Sequence, residues 1–383
     1  MERIERDIKQ YEHGLEELHG QGSGAELSVS ISNASRALML ATHYRLDIPK
    51  VFTAVPPYTA VIELNTSRDG LIILGITRKG IEVVHEEPTG ELELRRMALP
   101  YVKALRSGGV GLDETSLINK LVCLAELVID PLNELGSRVD HVVFVSSSTS
   151  ISFPFGCLFY QNEPLILAKA VSQVPSLAVL ERLVRLDEER AKSTTAESKL
   201  MTIVNSHQQT NSEAAPVVLG ALGPYRLFRT PPLAAKAVDE SKFACEYKKA
   251  TIVHIGTHGH QPPLSPWQSY LSLANQFRVM ELAKLKTHAS LVVFCACLSG
   301  LGKVTNGNDV LGFSHAVLQS GAQVYMGALW KVGQVETLRL MTLFYRRIAT
   351  QENGISIAKA WQYAQITLYN MTKEEDLNFW RRS

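Results

Sequence analysis

Two short stretches of the chain hold the residue types that nucleophilic chemistry needs. TIVHIGTHGH ends in His258-Gly259-His260, and LVVFCACLSG carries Cys295 and Cys297 ahead of Ser299 and Gly300. Each opens on an apolar run suited to a buried parallel strand, so each set of reactive residues falls where a strand gives way to a loop. In open parallel sheets that carboxyl edge is where reacting groups collect. If the two strands are neighbours, His258 and Cys297, 39 residues apart in the chain, meet at one edge. A thiol beside an imidazole is a nucleophile with its base: the imidazole takes the proton, the thiolate attacks a carbonyl, and the imidazolium protonates the leaving amine. Gly259 lets backbone come close to a substrate, and the amides near Gly259 and Cys297 could donate to a developing oxyanion. The same residues also suit a structural role. A cysteine at a strand end is often a small hydrophobe, and a Thr-His-Gly turn can simply close a loop.

Other chemistries fit less well. His254, His258, Cys295 and Cys297 are zinc-like types, but the two histidines lie i,i+4 on an extended strand, roughly 13 Å apart by strand rise, too far to share one tetrahedral ion. Gly300-Leu301-Gly302-Lys303 hints at a phosphate loop, yet Cys297 stands where the first glycine of that motif belongs and Val304 where Ser or Thr should follow the lysine. The chain has no G-x-S-x-G nucleophile elbow. No metal and no cofactor are therefore expected. His254 reads as a core histidine, His315 as helix surface or packing, and Cys157, in FPFGCLF, as buried filler.

These residues must be positioned by a sizeable body. At 383 residues with 45% apolar and 20% charged side chains, the chain has the stock for one large two-part domain and a small appendage. With 39 basic and 38 acidic residues, its charge of +1 calls for neither nucleic acid nor an anionic membrane as partner. No run approaches the roughly 20 apolar residues of a membrane-spanning helix, and the opening MERIERDIKQ is charged where a signal peptide would be apolar. A soluble, cytoplasmic chain is expected, with a nuclear location also compatible. Its five cysteines, an odd number without framework spacing, fit reduced thiols.

Ile4, Ile8, Tyr11, Leu15 and Leu18 form one stripe of an amphipathic helix, and a second helix is expected over about 26–44. Two helices alone cannot bury both faces, so they read as a docked hairpin or the stub of a helical repeat. From Ala60 the runs AVIEL, LIILGI and IEVV, separated by SRDG and RKG, read as an antiparallel meander. Helices near 96–107 and 115–130, a central strand at HVVFV, a strand over 165–173 and a helix capped by Ser176 follow. Between about Ala191 and Ala215 apolar periodicity fades into SHQQTNSEAAP, and a linker is expected. Beyond it, strands PVVLG, TIVHIG, LVVFCA and AQVYMGAL alternate with helices near 232–246, 280–286 and 309–319, with two more to about Tyr369, which means a parallel sheet covered on both faces.

VHIGTHG, LVVFCACLSGLG, GFSHAVLQSGAQVYMGALWKV, LMTLFYRRI and SIAKAWQYAQ, with PPYTAVIEL, PLNELGSRVDHVVFV, ISFPFGCLFY and LAKAVSQVPSLAVLERL upstream, resemble the CHAT domain, a relative of caspases and separase. The resemblance covers about residues 50–372. It implies an α/β, caspase-like fold, a mostly parallel sheet flanked by helices in two related halves, behind a short amino-terminal helical segment. The segments are then 1–48, a helical remnant of a TPR-type array; 49–190, a non-catalytic half; 191–215, a flexible linker; and 216–383, the catalytic half. The implied activity is that of a cysteine endopeptidase with His258 as base and Cys297 as nucleophile. Gly259 and the Cys297 amide would shape the oxyanion site, and the segment of Trp330 would border an extended peptide, although Trp330 also suits plain core packing. Where the family carries acids just after W-x-V, this chain has Gly333 and Gln334. Asp309 and Glu336 are the acids left to receive a basic side chain, and both also suit a solvated surface. A protein or peptide substrate and a regulatory or TPR-mediated protein partner are implied. The alternative is a catalytically silent scaffold for protein assembly.

Overall fold

The computed structural model describes residues 48–66, 70–106, 125–135, 138–146, 153–161, 163–192, 199–204, 231–260, 268–295, 302–304, 310–329, 334–350 and 356–382. The amino-terminal helical stripe, the PVVLG strand, Cys297, Asp309, Trp330 and Gly333 lie outside them.

The first half is built on one five-stranded sheet. β1 (Thr59–Thr66), β2 (Leu71–Thr77) and β3 (Gly80–Glu87) form the expected antiparallel meander. β1 also pairs in parallel with β4 (His141–Ser146). A short hairpin of β5 (Phe159–Tyr160) and β6 (Glu163–Pro164) precedes β7 (Ala170–Val174), which joins β4 in parallel. The order is β3-β2-β1-β4-β7. Strand alternation sends Ile62, Leu64 and Phe144 into a core with Val128, Ile129 and Leu132 of the helix over 125–134. Val61, Val143 and Val145 face the other way, onto helix Leu177–Lys192 through Leu180. That helix opens as expected, with the Val179 N–H donating to Ser176 Oγ at 3.3 Å.

The second half is a parallel sheet of β8 (Leu200–Val204), β9 (Leu233–Ala234), β10 (Ile252–Gly256), β14 (Leu291–Phe294) and β17 (Val324–Gly327) in the order β17-β14-β10-β8-β9. Every neighbouring pair in it is parallel. Between β10 and β14 comes a small antiparallel sheet of β11 (Gly259–His260), β12 (Tyr270–Ser272) and β13 (Gln276–Arg278). A further hairpin pairs β15 (Gly302–Val304) with β16 (Val310–Gly312). Val253, Ile255, Val292 and Phe294 pack on one side against helices Glu240–Lys249, Val279–Lys284 and Phe313–Gln319. Leu291 and Val293 pack on the other against Met341, Phe344 and Tyr345 of helix Gln334–Ala349 and Ala360 and Ala364 of helix Ile357–Arg382.

Five expectations are corrected. Within 191–215, read as a linker, Leu200–Val204 is β8, an interior strand with four of its five residues buried. Within 165–173, read as strand, Leu165–Ala168 is one helical turn behind Pro164, and only Ala170 onward is strand. The helix near 232–246 is strand, a 3-10 turn (Ala235–Ala237) and then a helix starting at Glu240, where the Asp239 carboxylate accepts from the Lys242 N–H at 2.8 Å. The helix near 309–319 begins only at Phe313, after β16. The helix near 96–107 begins earlier, at Glu91.

The halves are joined by polar side chains that reach from helices to backbone carbonyls. The Arg190 guanidinium donates to Ala289 O at 3.1 Å and Gly321 O at 2.7 Å. Lys359 Nζ donates to Asp140 O at 2.7 Å, and Gln362 Nε2 to Ile166 O at 3.0 Å. Among the described residues, no helix is long and apolar enough to cross a membrane.

Candidate functional site

β10 and β14 are adjacent and parallel, with Ile252 opposite Leu291 and Ile255 opposite Phe294. The ladder runs one residue further, since the Cys295 N–H donates to Ile255 O at 2.9 Å. The two strands therefore end level with each other, and the segments that follow them, one leading to His258 and the other from Cys295 toward Cys297, start side by side on the carboxyl edge. Cys297 itself is outside the described residues, as are Asp309 and Trp330.

The histidine side is built from the turn upward. Thr257 is fully buried, and its hydroxyl donates to Ser272 O at 2.7 Å. The Ser272 N–H donates back to His258 O at 2.9 Å. Gly259 then pairs with Leu271 and His260 with Tyr270, whose ring centroids lie 5.0 Å apart. The backbone of His258 is thus held between a buried threonine and a hairpin, while the residue itself is exposed. A fixed main chain with an imidazole open to solvent leaves the ring accessible to a reacting group, as a general base requires. Gly259 is half-buried beside it.

On the other strand, Cys295 is half-buried as a residue, but its sulfur is enclosed, and burial pushes the thiol up to about 12. It stays protonated at neutral pH and is inert as a nucleophile. Cys157 is half-buried rather than buried, in the turn Phe155–Cys157, and Cys245 is exposed. His315 is half-buried in its helix. His254 is fully buried, as a core histidine should be, with Nδ1 2.9 Å from Tyr345 Oη. It lies inside the sheet while His258 lies past its end. Among the described residues no group of three His, Cys, Asp or Glu side chains could hold a metal ion.

Sequence reasoning missed Thr257, Ser272 and Tyr345. Thr257 stands next to the candidate base and carries a signal in its type, because a buried hydroxyl must find an acceptor. Tyr345 lies 91 residues from its histidine, and its helical stripe gives its burial but not its partner.

A family model, the CHAT domain, matches residues 120–381. Among curated proteins none matches the chain. Two crystal structures of the Saccharomyces cerevisiae separase-securin complex share its fold. One, at a TM-score of 0.53 and 12% identity, covers 83% of this chain and 29% of its own. The other, at a TM-score of 0.54 and 12% identity, covers 82% and 29%. The chain therefore spans under a third of the length of the separase chains it resembles. With the match taking in the helix before β4, β4 and β7 of the first sheet, the whole second sheet and the final helix, the chain belongs to the CHAT domain family.

Proposed function

We propose that the protein is a cysteine endopeptidase in which His258 is the general base and Cys297 the nucleophile. The observation that carries this reading is the parallel adjacency of β10 and β14, whose level ends launch both segments from one edge of the sheet. The exposed imidazole of His258 on its pinned backbone supports the same reading, as does Cys295, whose enclosed thiol leaves the reactive role to Cys297.

The chemistry follows from the pair. His258 takes the Cys297 proton, and the thiolate adds to the scissile carbonyl carbon, moving its electron pair onto oxygen. Backbone N–H groups at Gly259 and Cys297 receive that oxyanion. Collapse expels the amine, which takes the proton from the imidazolium, and leaves a thioester. His258 then removes a proton from water, which attacks the thioester and frees the acid and the thiol. In this reading the Trp330 segment is the one that would border an extended substrate, and Asp309 and Glu336 are the acids available to a basic side chain.

In this reading residues 49–190 are a non-catalytic half, and the catalytic half begins at β8 rather than at 216. Residues 1–48 are a TPR-type remnant through which a protein partner regulates the enzyme, and the thiol works in the reduced cytoplasm. The separase structures contain securin, a protein partner of that enzyme, which supports regulation by a protein here as well. The test compares new protein termini in cells expressing the wild type and Cys297→Ala. Termini that depend on Cys297 are expected. Identical sets from the two forms would refute the peptidase and leave the silent scaffold.

A further inference from the structure

Beneath the two strand ends lies a buried polar group that the proposed reaction does not use. His254 is the middle residue of β10, four positions before His258, and is fully buried. Its Nδ1 is 2.9 Å from Tyr345 Oη, and Tyr345 is fully buried too, on helix Gln334–Ala349. The rings meet edge to face with centroids 5.6 Å apart. Cys295, at the end of β14, packs against the same apolar cluster as Tyr345. Burial, and then the neighbouring Cys295 thiol, hold the Tyr345 phenol well above its ordinary range, so it remains a neutral donor and acceptor.

Apolar contacts in this cluster are non-directional, and aliphatic neighbours alone would let helix and strand slide by fractions of an ångström. A hydrogen bond between two enclosed rings fixes distance and direction together. This one ties β10, which leads to His258, to a helix that also packs on β14, which leads to Cys297, and that starts just after the Trp330 segment. We propose that the His254–Tyr345 pair is a positioning element, holding the two strand ends and the helix in the one arrangement in which the His258 imidazole meets the Cys297 thiol.

The inference rests on the dyad reading, and the test separates the two. The measurement is the rate at which iodoacetamide alkylates Cys297 at neutral pH, resolved from Cys295 by fragment mass spectrometry, beside the melting temperature of each variant. Tyr345→Phe keeps the ring and removes one oxygen. It is expected to slow Cys297 alkylation by about 10-fold, because a thiol that loses contact with its imidazole loses thiolate character. Tyr345→Phe combined with His254→Leu replaces both polar partners by apolar groups, a change that can restore stability. The double variant is expected to keep the slow rate whatever its melting temperature, and it carries the test alone if the single variant fails to fold.

A rate in Tyr345→Phe within about two-fold of wild type, or a rate that recovers in step with stability in the double variant, overturns the positioning role, since fixing the dyad geometry should matter by far more than that. His258→Ala is the reference. If it slows Cys297 while Tyr345→Phe does not, only the positioning inference fails. If it leaves Cys297 unchanged, the dyad itself fails.

Discussion

At the scale of residues, Cys295 and Cys297 are chemically alike, and environment decides what the described one, Cys295, can do. The Cys295 sulfur is enclosed beside Tyr345, and its thiol is pushed up to about 12. Cys295→Ser should therefore keep full Cys297-directed labelling by a thiol probe while lowering stability by about 1 to 3 kcal/mol, the cost of moving a hydroxyl into an enclosed, largely apolar cluster. Labelling and a thermal melt measure both, and loss of labelling without loss of fold would contradict the assignment. The place of His258 just past a buried strand was legible because Thr-His-Gly directly follows an apolar run. The enclosure of Cys295 was not, since Cys295 and Cys297 follow the same strand and only packing shows that a thiol is enclosed. The His254–Tyr345 bond was equally hidden, because periodicity reports that a side chain is buried and not what it meets across 91 residues.

Among the elements, the parallel strands were read from their continuous apolar runs, and the meander from its turns, because those signals are local. β8 was not. Its five residues, LMTIV, sit between polar stretches, and a run that short weighs little against the composition around it. Sheet pairing overrides that composition: β8 pairs with β10 along Leu200–Val204 and with β9 at Ile203 and Val204. Ile203 is fully buried there. Ile203→Asp is expected to cost about 3 to 5 kcal/mol through an unpaired buried charge, which is enough to unfold the second half. A urea titration checks it. The near-neutral result expected of a linker would contradict the assignment of β8 to the core.

At the scale of the whole molecule, polar side chains reaching from helices join the two halves, and one of those joints responds to acid. His141, at the start of β4, bonds Ser172 Oγ through Nε2 at 2.9 Å. Burial, and then the Lys359 ammonium, hold its pKa down to about 4, against the opposing pull of Asp140. Lys359 reaches this place from the last helix to bond Asp140. Because the folded protein favours neutral His141, its contribution to stability is complete above the ordinary value near 6.5 and is lost as pH falls from there toward 4. About 2 kcal/mol should disappear between pH 7 and pH 5, and His141→Asn should flatten that slope, both measured by urea midpoints. The architecture of two sheets was visible in the order of strands and helices. The joints were not, because Arg190, Lys359 and Gln362 act on backbone carbonyls that any sequence supplies. The central claim, that His258 activates Cys297, is tested most directly by identifying the residue that a peptidyl acyloxymethyl ketone modifies, in wild type and in His258→Ala. The expected adduct is on Cys297 in wild type and is lost in His258→Ala. An adduct on another residue, or one undiminished without the imidazole, would contradict it.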